Sequence, residues 1–539
     1  MFTHDRASVI PFLCWKSSLY RGRFLWIAAV FLILGGVIGP KQASAELKLL
    51  FSGSLESNLF VGLKPETTPS ILPGSTTSSN LGRYFDYRNA NSLFLNLSAK
   101  VSKNLSGVAR VQFRNINFSR ATVSNDLQDY GQVLPLSVRL YEMYIDFLEL
   151  TEWFDLRVGQ QRIAWGKALA FNPTDNLNPF NLENPLDFQE RLPTPAIKAS
   201  FYMGEHVTLT LVAQPYYVPA VLPISLFRDV ATIDFDFNSL VPKGFKLEKV
   251  NSSEKVQQVD FNIENMQAAG KLSFVFDKVS FALSYFWGRL YVPIPSSSNL
   301  TATKLGKTDP VTGDINVTTD VDVQLVFPRV HVIGFDFSTS LGPVGVWAEV
   351  GLFVPHESFA LEITQSIAPN LVANDPEQSK RLNPLSKEPF CPAPKAGEKK
   401  ACPDSFPSTP YPKVTVGLEY TFPGGFYFNV QYLFGFFNEQ ALDKLHHFVF
   451  LVMRQPFWRD RLMLQITLGG ELDTTPTSGD KGDGSNVGLA FLVNAELQFR
   501  PFDSGMITLG GVVGRGNKGT TLALFQDLDQ IFLRFRLNF

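Results

Sequence analysis

Three observations predict an all-β fold, a transmembrane antiparallel up-and-down β-barrel of about 18 strands. Period-two alternation recurs along the chain, short turns alternate with long polar connections, and the N-terminus has the layout of an export signal. The chain has 539 residues, 45% of them hydrophobic and 18% charged, with a formal net charge of −2. That near-neutral balance argues against a nucleic-acid partner, which selects a basic surplus.

At the N-terminus, Lys16, Arg21 and Arg23 precede an apolar run from Phe24 to Ile38, then Pro40 and a small-residue site at Ala43 to Ala45. This order predicts a signal peptide, 1–45, cut after Ala45. The apolar run is shorter than the roughly 20 residues that a spanning helix needs. The rest, 46–539, is expected to form a single barrel domain.

Strands are expected at 47–60, 91–102, 107–118, 138–148, 153–163, 195–203, 206–214, 266–276 and 279–290. They continue at 330–340, 344–354, 413–422, 425–436, 444–454, 461–471, 486–499, 505–513 and 530–539. The last is the clearest: Ile531, Leu533, Phe535, Leu537 and Phe539 share one face, and Phe532, Arg534, Arg536 and Asn538 the other. Short links such as "LTE", "PGG" and "PFDS" alternate with long polar segments, notably 61–90, 164–194, 215–265, 291–329 and 355–412. Short periplasmic turns and long extracellular loops make this pattern in outer-membrane barrels. A Greek-key sandwich has no reason to keep it. A closed barrel also satisfies every strand hydrogen bond inside lipid. An aromatic last residue, Phe539, is the expected handle for the barrel-assembly machinery.

The stretch "RLYEMYIDFLEL" and the following "WFDLRVGQQ" read as a hairpin about "LTE". Alternation sends Tyr141, Met143, Ile145 and Phe147 to lipid, and Glu142, Tyr144 and Asp146 inward. On the next strand Leu156 and Val158 face lipid while Asp155 and Arg157 face inward. The pattern slips between Gln160 and Ile163, which predicts a bulge or the end of the strand. The loop that follows holds Pro173, Pro179, Pro185, Pro193 and Pro195, each fixing a backbone dihedral. Asn172, Asn178 and Asn184 each precede a proline. A loop this stiff is expected to fold into the barrel and narrow it, with Trp165, Gly166, Asn172, Pro173, Asp175, Asn178 and Pro179 in the constriction.

The run "LYEMYIDF…DLRVGQQRIAWGKALAFNPTDNLNP", Leu140 to Pro179, resembles a large, largely uncharacterised porin-like family of Gram-negative outer-membrane proteins, similar in layout to the alginate-export barrels. Members carry a Tyr-containing strand, then "GxQ…WG", then an Asn-Pro-rich loop. The resemblance implies an outer-membrane channel or exporter-like barrel. It supplies neither a substrate nor a catalytic residue.

The inward positions define the expected lumen. One arc carries Lys48, Lys100, Arg110, Arg114, Arg534 and Arg536, made neighbours by closure of the last strand on the first. Elsewhere Glu142, Asp146, Asp155, Arg157, Asp336, Glu349, Glu419 and Glu496 face inward. Charged walls of this kind set ion preference. Cys391 and Cys402 share a Pro- and Lys-rich segment on the exported side, where a disulfide is expected. Cys14 falls in the signal. "GDKGDGSN" offers Asp480, Asp483 and Asn486 but lacks the terminal Glu of a calcium loop, so no metal is expected there.

His331, His356, His446 and His447 map near the outer rim. The sequence carries no nucleophile elbow, "HExxH" or phosphate loop. The expectation is therefore a non-enzymatic, cofactor-free outer-membrane porin for small polar or anionic solutes, with outer-membrane lipid around it. The oligomeric state is not legible. Two alternatives stay open: an exporter of a polymer or lipid with a periplasmic partner, and a receptor or adhesin working through its long loops.

Overall fold

The structure, a computed structural model, describes residues 47–62, 87–116, 128, 135–169, 171–182, 189–222, 245–308, 314–360, 362–367, 404–473, 488–517, 520–522, 525 and 529–539. The expected signal peptide, the Cys391–Cys402 disulfide and the "GDKGDGSN" turn lie outside them. From Lys48 onward the chain forms one compact unit. No helix among the described residues is long and apolar enough to cross a membrane.

The described strands, in chain order, are β1 (Lys48–Gly62), β2 (Tyr87–Lys100), β3 (Leu105–Ile116), β4 (Leu136–Thr151), β5 (Phe154–Gln161), β6 (Thr194–Met203), β7 (Val207–Gln214) and β8 (Phe245–Val256). Next come β9 (Gln267–Val275), β10 (Val279–Arg289), β11 (Ile294–Thr308), β12 (Ile315–Val326), β13 (Arg329–Leu341), β14 (Val344–Pro355), β15 (Phe359–Ala360) and β16 (Glu362–Ile367). The last are β17 (Asp404–Phe406), β18 (Tyr411–Thr421), β19 (Tyr427–Phe434), β20 (His447–Phe457), β21 (Leu462–Asp473), β22 (Gly488–Phe502), β23 (Gly505–Gly516) and β24 (Gln530–Asn538).

Eighteen of these form one sheet in which each strand pairs antiparallel with the next barrel strand in sequence. Strand β24 pairs back onto β1, from Ser54↔Asn538 to Gly62↔Gln530, so the sheet closes and has no free edge. The seam is tightened at its end by two backbone bonds between Gly53 and Phe539, at 2.8 and 3.0 Å. A Cβ at position 53 would stand 2.4 Å from the Phe539 ring, so glycine is what admits the terminal aromatic there.

Alternation accounts for the two faces. Ile531, Leu533 and Phe535 are exposed on β24 while Phe532 between them is buried. On β18, Val416 and Leu418 are exposed and Thr415 is buried. Leu283, Tyr285, Ile333, Phe335, Val350 and Leu352 extend the exposed apolar face across β10, β13 and β14. Water would penalise such a surface; hydrocarbon does not.

The long connections are not all irregular. β8, β11, β12 and β16 form a separate four-stranded sheet in the order β16-β11-β12-β8, and β15 pairs with β17. Segments 215–265, 291–329 and 355–412, read from the sequence as loops, therefore supply strands of their own. Two of the pairings, β11 with β16 and β12 with β8, are parallel and join segments remote in sequence.

The reading of Tyr141 as lipid-facing is overturned. The β3–β4 register jumps from Arg110↔Glu142 to Val111↔Leu140, leaving Tyr141 as the extra residue of a bulge. The bulge turns its ring inward, where it is buried and bonds through its hydroxyl to Glu190 Oε1 and to Arg191 O, each at 3.3 Å.

Candidate functional site

The segment between β5 and β6 carries all seven of the expected constriction residues. It begins where Gln161 ends the strand, and it is ordered by its own polar side chains. Asn178, nearly fully buried, accepts from Ile163 N–H at 2.6 Å. Its amide donates to Leu192 O at 2.9 Å, to Thr194 Oγ1 at 3.0 Å and to Gln161 O at 3.3 Å. One asparagine thus joins the start, middle and end of the segment. Asn172 donates to Trp165 O at 3.1 Å, and Asp175 N–H returns to Asn172 O at 3.0 Å. Asn176 donates to Pro173 O at 2.8 Å, and Leu192 N–H to Pro179 O at 2.8 Å.

Its outward bonds reach far around the ring. Glu349 lies on β14, reached from β5 by way of β6, β7, β9, β10 and β13. Its carboxylate is fully buried and takes only donors: Lys167 N–H and Ala168 N–H (2.6 Å) on Oε1, and Thr174 Oγ1–H at 2.8 Å on Oε2. Gly166, with φ of +91°, makes the approach possible, because a Cβ there would stand 2.7 Å from both Glu349 oxygens. Thr415 on β18 donates to Phe171 O at 3.1 Å, Gln214 on β7 to Leu177 O at 2.6 Å, and Tyr291 to Asn176 O at 2.9 Å. These bonds tie the described part of the segment to buried side chains of β7, β14 and β18.

Apolar packing divides about it. Phe171 and Leu182 join a cluster with Phe436, Phe448, Phe450 and Phe532, and Phe171 sits 4.4 Å from Phe436 between ring centroids. Trp165 and Leu177 join a second cluster with Phe286, Val332, Phe353 and Tyr411. Buried charge accompanies it. Asp175 and Arg191 pair at 3.7 Å, and Arg191 lies over the Phe180 ring at 3.4 Å. Burial pushes the Asp175 carboxyl above its ordinary range, against the opposing pull of Arg191, and lowers Arg191. A cleft beside the segment is lined by Phe171, Asp175, Arg289, Tyr291, Phe353 and Lys413, among others.

Some of the expected lumen charges pair with one another, and others meet neutral donors. Arg157 meets Asp146 through two bonds, 2.5 and 3.1 Å. Glu142 receives Arg162 at 3.1 Å and Arg110 at 3.9 Å. Arg534 donates to Asn58 at 2.8 Å and approaches Glu56 at 3.9 Å. Arg536 is opposite Glu56 in the register, and Arg114 opposite Ser92 and Ser137. Asp155 accepts from Glu149 N–H at 2.7 Å and from the Tyr202 hydroxyl at 2.8 Å, close to a short turn. Glu419 accepts from the Tyr427 hydroxyl at 2.7 Å. Glu496 accepts from Asn494 and Gln498, each at 3.2 Å. Asp336 meets Lys271 at 2.8 Å.

Lys48 does not join Arg534 and Arg536. It lies opposite Lys100, well beyond Ser54, where the β24 pairing stops. Strand stagger, an obligatory part of closing a barrel, separates it from them.

Sequence reasoning missed Glu56, Arg162, Lys198, Lys271, Lys413 and the cluster of Glu439, His446 and Glu471. Glu56, Lys198, Lys271 and Lys413 sit on inward positions of predicted strands, so alternation could have found them. The others lie at strand ends or in connections, where alternation carries no information.

No curated protein matches the chain. It is similar in structure to OccK1 (OpdK) of Pseudomonas aeruginosa, at 9% identity and a TM-score of 0.44, over 91% of this chain and 98% of that one. It is similar to Pseudomonas aeruginosa OccK9 (OpdG) at 10% identity and 0.44, over 91% and 98%. Acinetobacter baumannii OccAB1 gives 8% and 0.45, over 93% and 99%. Residues 110–442, which hold the inserted segment and its Glu349 and Thr415 anchors, match a family described as "Protein of unknown function (DUF1302)", and the chain belongs to that family.

Proposed function

We propose that the chain is an outer-membrane channel for small polar solutes, with the segment 164–194 as its constriction. The observation that carries this reading is the fastening of that segment to Glu349 and Thr415 on the far wall of a closed barrel whose outer face is apolar. An apolar exterior suits lipid, and a closed wall with polar inward residues suits a path for solutes. A rigid, side-chain-stapled insert controls the width of such a path without needing to move.

Anions are the favoured class. On β24 and β1 to β6 the cations outnumber the carboxylates, and Arg110, Arg157 and Arg534 stay partly exposed beside their acidic partners. Charge lining of this kind tunes selectivity. Phe539, exposed at the seam, is the candidate contact for assembly machinery.

The test is ion conductance of the purified full chain in planar bilayers, beside a variant lacking 167–190. The expected result is a small, selective conductance in the first and a larger, less selective one in the second. Absence of conductance from both, with each correctly folded, overturns the reading.

A further inference from the structure

We propose that Glu439, His446 and Glu471 form a divalent-metal site of the zinc class at one rim of the barrel. The three come from different places: Glu439 and His446 from the connection between β19 and β20, and Glu471 from β21. His446 Nδ1 stands 2.9 Å from Glu439 Oε1 and 3.3 Å from Glu471 Oε1, and the three ligand atoms lie within 4.8 Å of one another. Donors bound to one ion at about 2.0–2.2 Å are separated by about 3 to 3.5 Å, so two of these separations fit a shared cation.

Both carboxylates are buried, and both are held from behind. Glu471 accepts from Thr521 N–H at 2.8 Å and Leu522 N–H at 2.6 Å. Glu439 accepts from Phe436 N–H at 2.8 Å, His446 N–H at 3.1 Å and Thr521 Oγ1–H at 3.1 Å. Outer partners of this kind orient metal ligands before the ion arrives. The imidazole nitrogen faces two carboxylate oxygens at once. A neutral acceptor there is repelled by both, and a proton on Nδ1 points well at only one. A cation between the three satisfies all of them and supplies charge that two buried carboxylates need. The ion would tie the β19–β20 connection, β21 and the segment 520–522 into one unit, independently of whether the barrel conducts.

A competing pair exists: His331 Nε2 and His356 Nδ1 lie 3.2 Å apart on the exposed surface. The test therefore uses the full chain carrying His331→Ala and His356→Ala, stripped with chelator in detergent and titrated calorimetrically with Zn²⁺. One equivalent is expected to bind, and His446→Gln or Glu471→Gln should weaken it at least tenfold. Cobalt-loaded background protein, read by X-ray absorption, should show an imidazole nitrogen among oxygen donors, which keeps the test sound if a variant misfolds. No binding to the background protein, binding unchanged in His446→Gln, or a cobalt shell without imidazole each overturns the proposal.

Discussion

Replacing Glu349 by alanine should release the inserted segment from the far wall. The carboxylate receives three donors from the segment: Lys167 N–H, Ala168 N–H and the Thr174 hydroxyl. Each hydrogen bond to a charged acceptor contributes about 1.5–3 kcal/mol. The three are not additive, and water entering the vacated space recovers part of the loss. A net cost of about 3–5 kcal/mol follows, since each neutral donor left without a partner in the interior costs about 1–3 kcal/mol and water offsets part of the sum. Since about 1.4 kcal/mol is tenfold in an equilibrium, the detached form should become roughly a hundred to several thousand times more populated.

Glu349→Gln keeps an oxygen for the two backbone donors, and the Thr174 hydroxyl can turn to accept from the amide. It should show a much smaller change. Gly166→Ala should behave like the alanine variant, because its methyl would meet both carboxylate oxygens at 2.7 Å. The assay is single-channel recording, with limited proteolysis of 164–194 in folded, heat-modifiable protein. Larger or flickering conductance and faster cleavage are expected, in the order Ala and Gly166→Ala well above Gln. Identical conductance and cleavage in wild type and Glu349→Ala would refute the idea that this carboxylate holds the constriction.

Two further outcomes follow from the same geometry. Burial raises the Asp175 carboxyl above its ordinary value of 3.8, so its contribution to stability is present below that value and is lost as pH rises through the raised one. The unfolding midpoint of wild type relative to Asp175→Asn should fall over that window, and a difference independent of pH would contradict the assignment. Converting Arg534 and Arg536 together to glutamine should lower chloride over potassium permeability in reversal-potential measurements. An unchanged ratio would remove this part of the wall from any role in selectivity.

The eighteen barrel strands were legible because lipid on one side and polar interior on the other impose alternation over each whole strand. Each expected segment overlaps one barrel strand, down to β24, where Ile531, Leu533 and Phe535 are exposed around buried Phe532. The second sheet was not legible for the opposite reason. β11, "IPSSSNLTATKLGKT", has Ile294, Leu300 and Ala302 as the apolar residues of its buried face, too sparse a pattern among serines and threonines, and its neighbour β16 comes from a distant segment that pairs in parallel. β12, "INVTTDVDVQLV", does alternate, but its aspartates and threonines read as a solvated loop without knowledge of a partner.

At the site, Asn178 and Asp175 could be named as loop residues from their Asn-Pro setting. Their recipient could not. Glu349 stood only as one inward acid among several, because hydrogen bonds across a barrel join positions that no periodicity relates. Tyr141 was misassigned since a bulge adds one residue without leaving a mark in composition, and Lys48 because stagger cannot be counted from one strand.

The seam between β24 and β1 sets an order on assembly. Its bonds join the first and last strands of the barrel, from Gly62 with Gln530 to Gly53 with Phe539. Loop-closure cost is met in full before any of those bonds form, so the ring can only be completed once β24 has been made and brought to β1. Until that moment two strand edges stand open. Open edges of that kind pair with any other strand they meet, so closure at β24 and β1 is what removes the barrel's liability to aggregate.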